Sequence, residues 1–133
     1  MSDTKNLSGL QMAIMRALWA QGEASVNGVQ TALKHERGLA ITTIATMLTR
    51  LEADGLVTHR SEERHYVYRP LVTEAQVRHS MVTDLVDRLF HGDSSAMISH
   101  LLTESSVNDS DLESIKALLQ AKTHDQKGED SND

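Results

Sequence analysis

Apolar residues along the chain recur with a helical period, switch to a period of two, and then return to the helical period. Leu10, Ile14, Met15, Leu18 and Trp19 share one face of a first predicted helix. It opens on Ser8-Gly9-Leu10-Gln11, a capping-box pattern in which the Ser8 hydroxyl takes the N3 amide and Gln11 reaches back. Gly22 stops it. After a short β-prone patch, Ala24-Ser25-Val26, Ser25 caps a second helix that buries Val26, Val29, Ala32 and Leu33 and ends near Gly38. In a third helix Ile44, Met47, Leu48 and Leu51 stand at i, i+3, i+4 and i+7, and Asp54-Gly55 closes it. Its opposite face carries Thr43, Ala45, Thr46, Thr49 and Arg50, with no bulky apolar residue.

Beyond Gly55 the alternation of Leu56 to Arg60, a polar Ser61-Glu62-Glu63 tip and a second run from Arg64 to Arg69 predict a β-hairpin ended by Pro70, the one proline. Tyr66 and Tyr68 have the same strand parity and share a face, while Trp19 is expected in the core. Three helices followed by a hairpin predict a winged helix-turn-helix over residues 7–72.

Thr73-Glu74-Ala75-Gln76 is a second capping-box pattern, and Val77, Met81, Val82, Leu85, Val86, Leu89 and Phe90 make a wide stripe on a long fourth helix. Gly92-Asp93-Ser94 breaks it. A fifth helix carries Ala96, Met97, Ile98, Leu101 and Leu102, and a last one, capped by Ser110 with Glu113, carries Leu112, Ile115, Leu118 and Leu119. These helices, over 73–122, are too thin to close a core alone. A second copy is the expected cover, through Val77, Met81, Leu85, Leu89, Phe90, Leu101, Leu102, Leu112, Ile115 and Leu119. Residues 123–133 are polar and are expected to be a disordered acidic tail. The fold class is therefore mainly α, a winged helix-turn-helix with a helical dimerisation arm.

Composition narrows the function. A chain of 133 residues has room for one modest core and none for a large catalytic cavity. No apolar run reaches a membrane-spanning length, and the N-terminus lacks the pattern of a signal peptide, so a cytoplasmic protein is expected. Zero cysteines remove disulfides, thiolate nucleophiles and cysteine-based metal sites. The seven histidines form no H-x-x-x-H pair on a helix, and neither GxSxG, a P-loop nor GxGxxG occurs, so no metal, cofactor or catalysis is expected. The net charge of −6 argues against a nucleic-acid partner until its distribution is read: residues 1–72 hold eight Lys/Arg against seven Asp/Glu, and 73–133 hold five against twelve.

A helix entering the major groove keeps large apolar groups off its exposed face, and threonines there hydrogen-bond phosphates or base edges while their methyls meet thymine. Thr42, Thr43, Thr46 and Thr49 suit that role, as they equally suit a plain solvated face. Arg50, Arg60, Arg64 and Arg69, with His59 and His65, flank the surface as candidate phosphate contacts; the alternative is that Glu52, Glu62 and Glu63 pair with these arginines. A winged-helix module that binds protein rather than an operator is the rival function.

The run LSGLQMAIMRALWAQGEASVNGVQTAL, the block TTIATMLTRLEADGLVTHR and the closing YVYRPLV together resemble the penicillinase and methicillin-resistance repressor family, the BlaI/MecI/CopY type, over about residues 7–122. The resemblance implies a homodimeric winged-helix repressor on palindromic operators of its own and β-lactam resistance genes, released when a sensor metalloprotease system triggers cleavage in the dimerisation arm. Carried onto this chain, it implies DNA contacts at Thr42, Thr43, Thr46, Thr49, Arg50, Arg60 and Arg64, and a scissile bond near His100-Leu101. Three features depart from the pattern. Methicillin-type members are cleaved at Asn-Phe rather than His-Leu, they carry basic residues where this chain has Thr42 and Ala45, and copper-responsive members carry C-terminal cysteines that are missing here.

Overall fold

The computed structural model describes residues 7–35, 38–104 and 106–130, the last six as backbone alone. The elements run α1 (Gly9–Gln21), β1 (Ala24–Ser25), α2 (Val26–Leu33), α3 (Ile41–Ala53), β2 (Val57–Glu62), β3 (His65–Pro70), α4 (Glu74–Phe90), α5 (Ser94–Glu104) and α6 (Asp109–Asp130). They form two compact units that divide between Arg88 and Leu89.

In the N-terminal unit the caps form as the sequence predicts. The Ser8 hydroxyl accepts the Gln11 amide at 3.1 Å while Gln11 accepts the Ser8 amide at 3.0 Å, and Ser25 accepts the Gly28 amide at 3.1 Å. Gly22 and Gly55, each at φ +83°, let the chain leave α1 and α3 through the left-handed region, where a side chain would be strained. Ile14, Met15 and Leu18 of α1 meet Val29 and Leu33 of α2, Ile44, Leu48 and Leu51 of α3, and Leu56, Val57 and Tyr68 of the hairpin in one buried cluster. Burying each large apolar side chain stabilises the fold by about 1.5–3 kcal/mol. The sheet has the order β1-β3-β2, antiparallel throughout.

Four expectations are corrected here. The hairpin tip is tighter than three residues: Glu62 pairs with His65, so Ser61 and Glu62 lie in the strand and only Glu63 and Arg64 turn. The second helix ends at Leu33, before Gly38. Trp19 is half-buried at the edge of the core, where its indole N–H donates to the Val72 carbonyl at 2.9 Å; a buried indole needs such a partner. Val77, expected in the dimer stripe, has no exposed surface, and Met81 packs against the same cluster, so the opening turns of α4 complete the winged-helix core rather than starting a separate arm at residue 73. Helical spacing reports that a face is apolar and not which neighbour covers it.

In the C-terminal unit, α4 ends through His91 and Gly92, both in the left-handed region, and Asp93 caps α5 by accepting the Ala96 amide at 3.0 Å. The last helix opens two residues earlier than expected. Asn108 and Asp111 cap it reciprocally, at 2.8 and 3.3 Å, in place of Ser110 and Glu113. Where a disordered tail is expected from 123, the helix continues to Asp130; a helix already formed over 109–122 extends one residue at a time at little cost, Gln126, Lys127 and Glu129 favour it, and 131–133 lie outside the described residues. No residue of α5 is buried, and Leu101, Leu102, Leu112, Leu118 and Leu119 are all exposed.

Candidate nucleic-acid interface

Ile44, Leu48 and Leu51 hold α3 against the core by one face, and this decides what the other face shows. Thr42, Thr46 and Thr49 follow one another along an exposed line, with exposed Arg50 and half-buried Thr43 beside it. The hydroxyls of Thr46 and Thr49 donate to the carbonyls of Thr42 and Ala45, each at 2.9 Å. Their protons are thus committed to the helix, leaving acceptor lone pairs and methyl groups on the surface. Such a face suits thymine methyls and base amino groups in the major groove better than the acceptor edge of guanine.

Beside it stands the hairpin, whose two faces are used differently. On the face toward α3, Nδ1 of His59 lies 2.8 and 2.7 Å from the two carboxylate oxygens of Glu52, and its ring packs on Tyr66 and Tyr68 with centroids 4.4 and 5.4 Å away. The two tyrosines share this face as their parity requires. Burial pushes the Tyr68 phenol above its ordinary range, the charge of Glu52 and the neighbouring Tyr66 add to this, and the Thr49 hydroxyl beside it works the other way.

On the opposite face Arg60 forks onto Glu23, in the turn before β1, at 2.5 and 2.9 Å, and reaches Glu62 at 3.3 Å. The Arg60 guanidinium hydrogen-bonded to Glu23 holds that carboxyl below the usual range, against the opposing effect of burial and with help from the positive charge of Arg69. The same fork raises the arginine. Of the expected phosphate contacts, then, Arg60 is engaged within the protein, while among the described residues no ion pair engages Arg50, Arg64 or Arg69. Glu52 pairs with His59 and not with an arginine. Glu23, which sequence reading missed, lies 37 positions from its partner, and no local pattern signals such a contact.

Among the described residues no cluster of His and carboxylate side chains could hold a metal ion, and no helix is long and apolar enough to cross a membrane. The model of the penicillinase repressor family matches residues 7–121. The chain belongs to that family. Its relatives include the methicillin resistance regulatory protein MecI of Mammaliicoccus sciuri, 19% identical over 119 residues that cover 90% of this chain and 97% of MecI. The penicillinase repressor of Bacillus licheniformis is 22% identical over 120 residues, covering 90% and 94% of the two chains. Among solved structures, the DNA-binding domain of the repressor BlaI matches 56% of this chain and 92% of its own length, at a TM-score of 0.50 and 29% identity. As a penicillinase repressor family member, this winged helix is a DNA-binding transcriptional repressor and not an enzyme.

Proposed function

We propose that the protein acts in the cytoplasm as a homodimer on palindromic operators, repressing β-lactam resistance genes and its own gene. The observation that carries this reading is the face of α3, a small polar surface on a helix anchored from behind by a fully buried row. Thr42, Thr43, Thr46 and Thr49 meet base edges and nearby phosphates, while Arg50 and the wing-tip Arg64 take phosphates. Arg60, already held by Glu23, serves as a brace first. The relatives named for penicillinase and methicillin resistance support the choice of target genes.

Pairing is supported by the apolar side chains left uncovered from α4 onward. Leu85, Leu89, Leu101, Leu102, Leu112 and Leu119 are exposed, with Phe90 and Ile115 partly so, and a second copy would bury them. Two paired arms present two recognition helices to adjacent half-sites, so each subunit's contacts raise the effective concentration of the other's. Release follows from cutting the arm, through a sensor metalloprotease system, at His100-Leu101. This bond lies inside α5, with the His100 ring against Phe90 at 6.0 Å, so the helix opens before the bond is cut.

Gel shifts on the chain's own upstream DNA, with salt varied, test the reading. Thr46→Ala and Arg50→Ala each weaken binding about tenfold, a loss of about 1.4 kcal/mol. Arg50→Ala also lowers the slope of log affinity against log salt by about 0.9, the share of one phosphate. A wild-type chain indifferent to that DNA and to a genomic fragment pool at low salt rejects the operator reading in favour of a protein-binding module.

A further inference from the structure

We propose that His59 is a positioning residue that locks the wing to the recognition helix, so that the tip carrying Arg64 is set in place before DNA arrives. The inference rests on the operator-binding reading, because it assigns the lock a purpose in that contact. A two-stranded hairpin is marginal by itself, and this one is buried only near its base, at Val57, Val67 and Tyr68; the remainder, from Arg60 through Tyr66, is exposed. His59 stands at the point where burial gives out, directly across from Tyr68 in the strand register.

Its Nδ1–H donates to a carboxylate on the last turn of α3, two positions beyond Arg50, at 2.7 Å to one oxygen and 2.8 Å to the other. Tyr66 and Tyr68 clasp the ring, and Tyr68 lies in the same buried cluster as Leu48 and Leu51 of α3. The chain of contacts therefore leaves α3 at Glu52, crosses both strands and returns to α3 through the buried cluster that holds Tyr68, Leu48 and Leu51. A closed loop of this kind fixes an angle, which a single contact does not. With 31% of each side chain exposed, His59 and Glu52 remain solvated enough that their pairing adds little to overall stability. Orientation is what the pair contributes.

The test uses the full chain and two readouts. In the free protein, His59→Ala raises fast backbone motion at residues 61–66, measured by amide nitrogen relaxation, and leaves α3 unchanged. On operator DNA the same variant binds about tenfold more weakly, and its salt slope falls by about 0.9, as it does in Arg64→Ala, although His59 itself meets no phosphate. The double variant is no weaker than either single one, because both lose the same contact. His59→Asn, whose amide N–H stands close to Nδ1, restores both readouts, and Glu52→Gln reproduces part of the defect without changing shape.

A rigid wing in His59→Ala overturns the lock, and so does an unchanged salt slope or a loss that adds to that of Arg64→Ala. Should the wild type ignore DNA, the operator reading falls on that arm alone. The relaxation measurement still decides the lock.

Discussion

Leu18, Leu48 and Leu51 of the N-terminal unit have no exposed surface, whereas Leu89, Leu118 and Leu119 of the C-terminal helices leave 67%, 70% and 61% of theirs uncovered. The two regions are built from similar side chains at similar spacing, so hydrophobicity is not what separates them. The difference is topological. α1 to α3 fold back on one another and are closed by the hairpin and the opening turns of α4, which supplies partners on every side. From Leu89 onward the helices have too few neighbours to cover what they carry. The first region specifies a surface for another molecule, and the second specifies the need for one.

Cutting into the closed region gives the largest effect. Leu48→Ala removes a fully buried side chain from the centre of α3 and destabilises the unit by about 2–5 kcal/mol, read by denaturant unfolding. Leu118→Ala, the same change on an open face, shifts the unfolding of the dilute chain by less than about 0.5 kcal/mol. Equal costs at the two positions would mean that a cover for α6 exists within the chain, and the contrast between the regions would collapse.

A charge on the open face acts next. Leu89→Asp leaves the N-terminal unit folded but places a carboxylate in the proposed subunit contact, and the chain sediments as a monomer. Operator affinity then falls by about a hundredfold, roughly 2.7 kcal/mol, because one half-site no longer assists the other. If sedimentation shows the same dimer in the variant, the pairing surface lies elsewhere.

The sequence reveals these regions unevenly. Caps at Ser8, Ser25 and Thr73 depend on residues three apart, and the stripe Ile44, Met47, Leu48 and Leu51 depends on spacing within one helix, so all are legible along the chain. The face of α3 is legible for the same reason, being what remains once the buried row is identified. Illegible are the events that need the third dimension. Val77 belongs to the same apolar period as Leu85, yet one is sealed in the core and the other is 42% exposed. Arg60 reads as a free wing charge until the sheet brings Glu23 to it from the turn before β1. The continuation of α6 past residue 123 is obscured differently: low apolar content reads as disorder, whereas a helix already nucleated upstream propagates through such a stretch one residue at a time.

The smallest effect concerns how the two regions tie down their surface charges. From α4 onward the ion pairs of the described residues stay within one helix, Arg78 with Glu74 and Arg88 with Asp84, each four positions apart. In the winged helix two of the three join different elements, Glu23 to Arg60 and Glu52 to His59, and only Glu62 meets Arg60 within one strand. Glu23 is the place to measure that difference, because its carboxyl is held below the ordinary 4.5 by the Arg60 fork. The sign follows from linkage: a carboxyl lowered in the folded state contributes stability above 4.5, and that contribution is lost as pH falls through the folded value. Both side chains are open to water, so unfolding curves of Arg60→Gln and wild type are expected to overlay at neutral pH. The titration itself is sharper. Followed by the carboxyl carbon signal of Glu23, its midpoint lies below 4.5 in the wild type and returns toward it in Arg60→Gln, with a smaller residual lowering left by Arg69. A midpoint at or above 4.5 in the wild type would mean that the fork does not persist in solution, and Arg60 would then be as free for phosphate as Arg64.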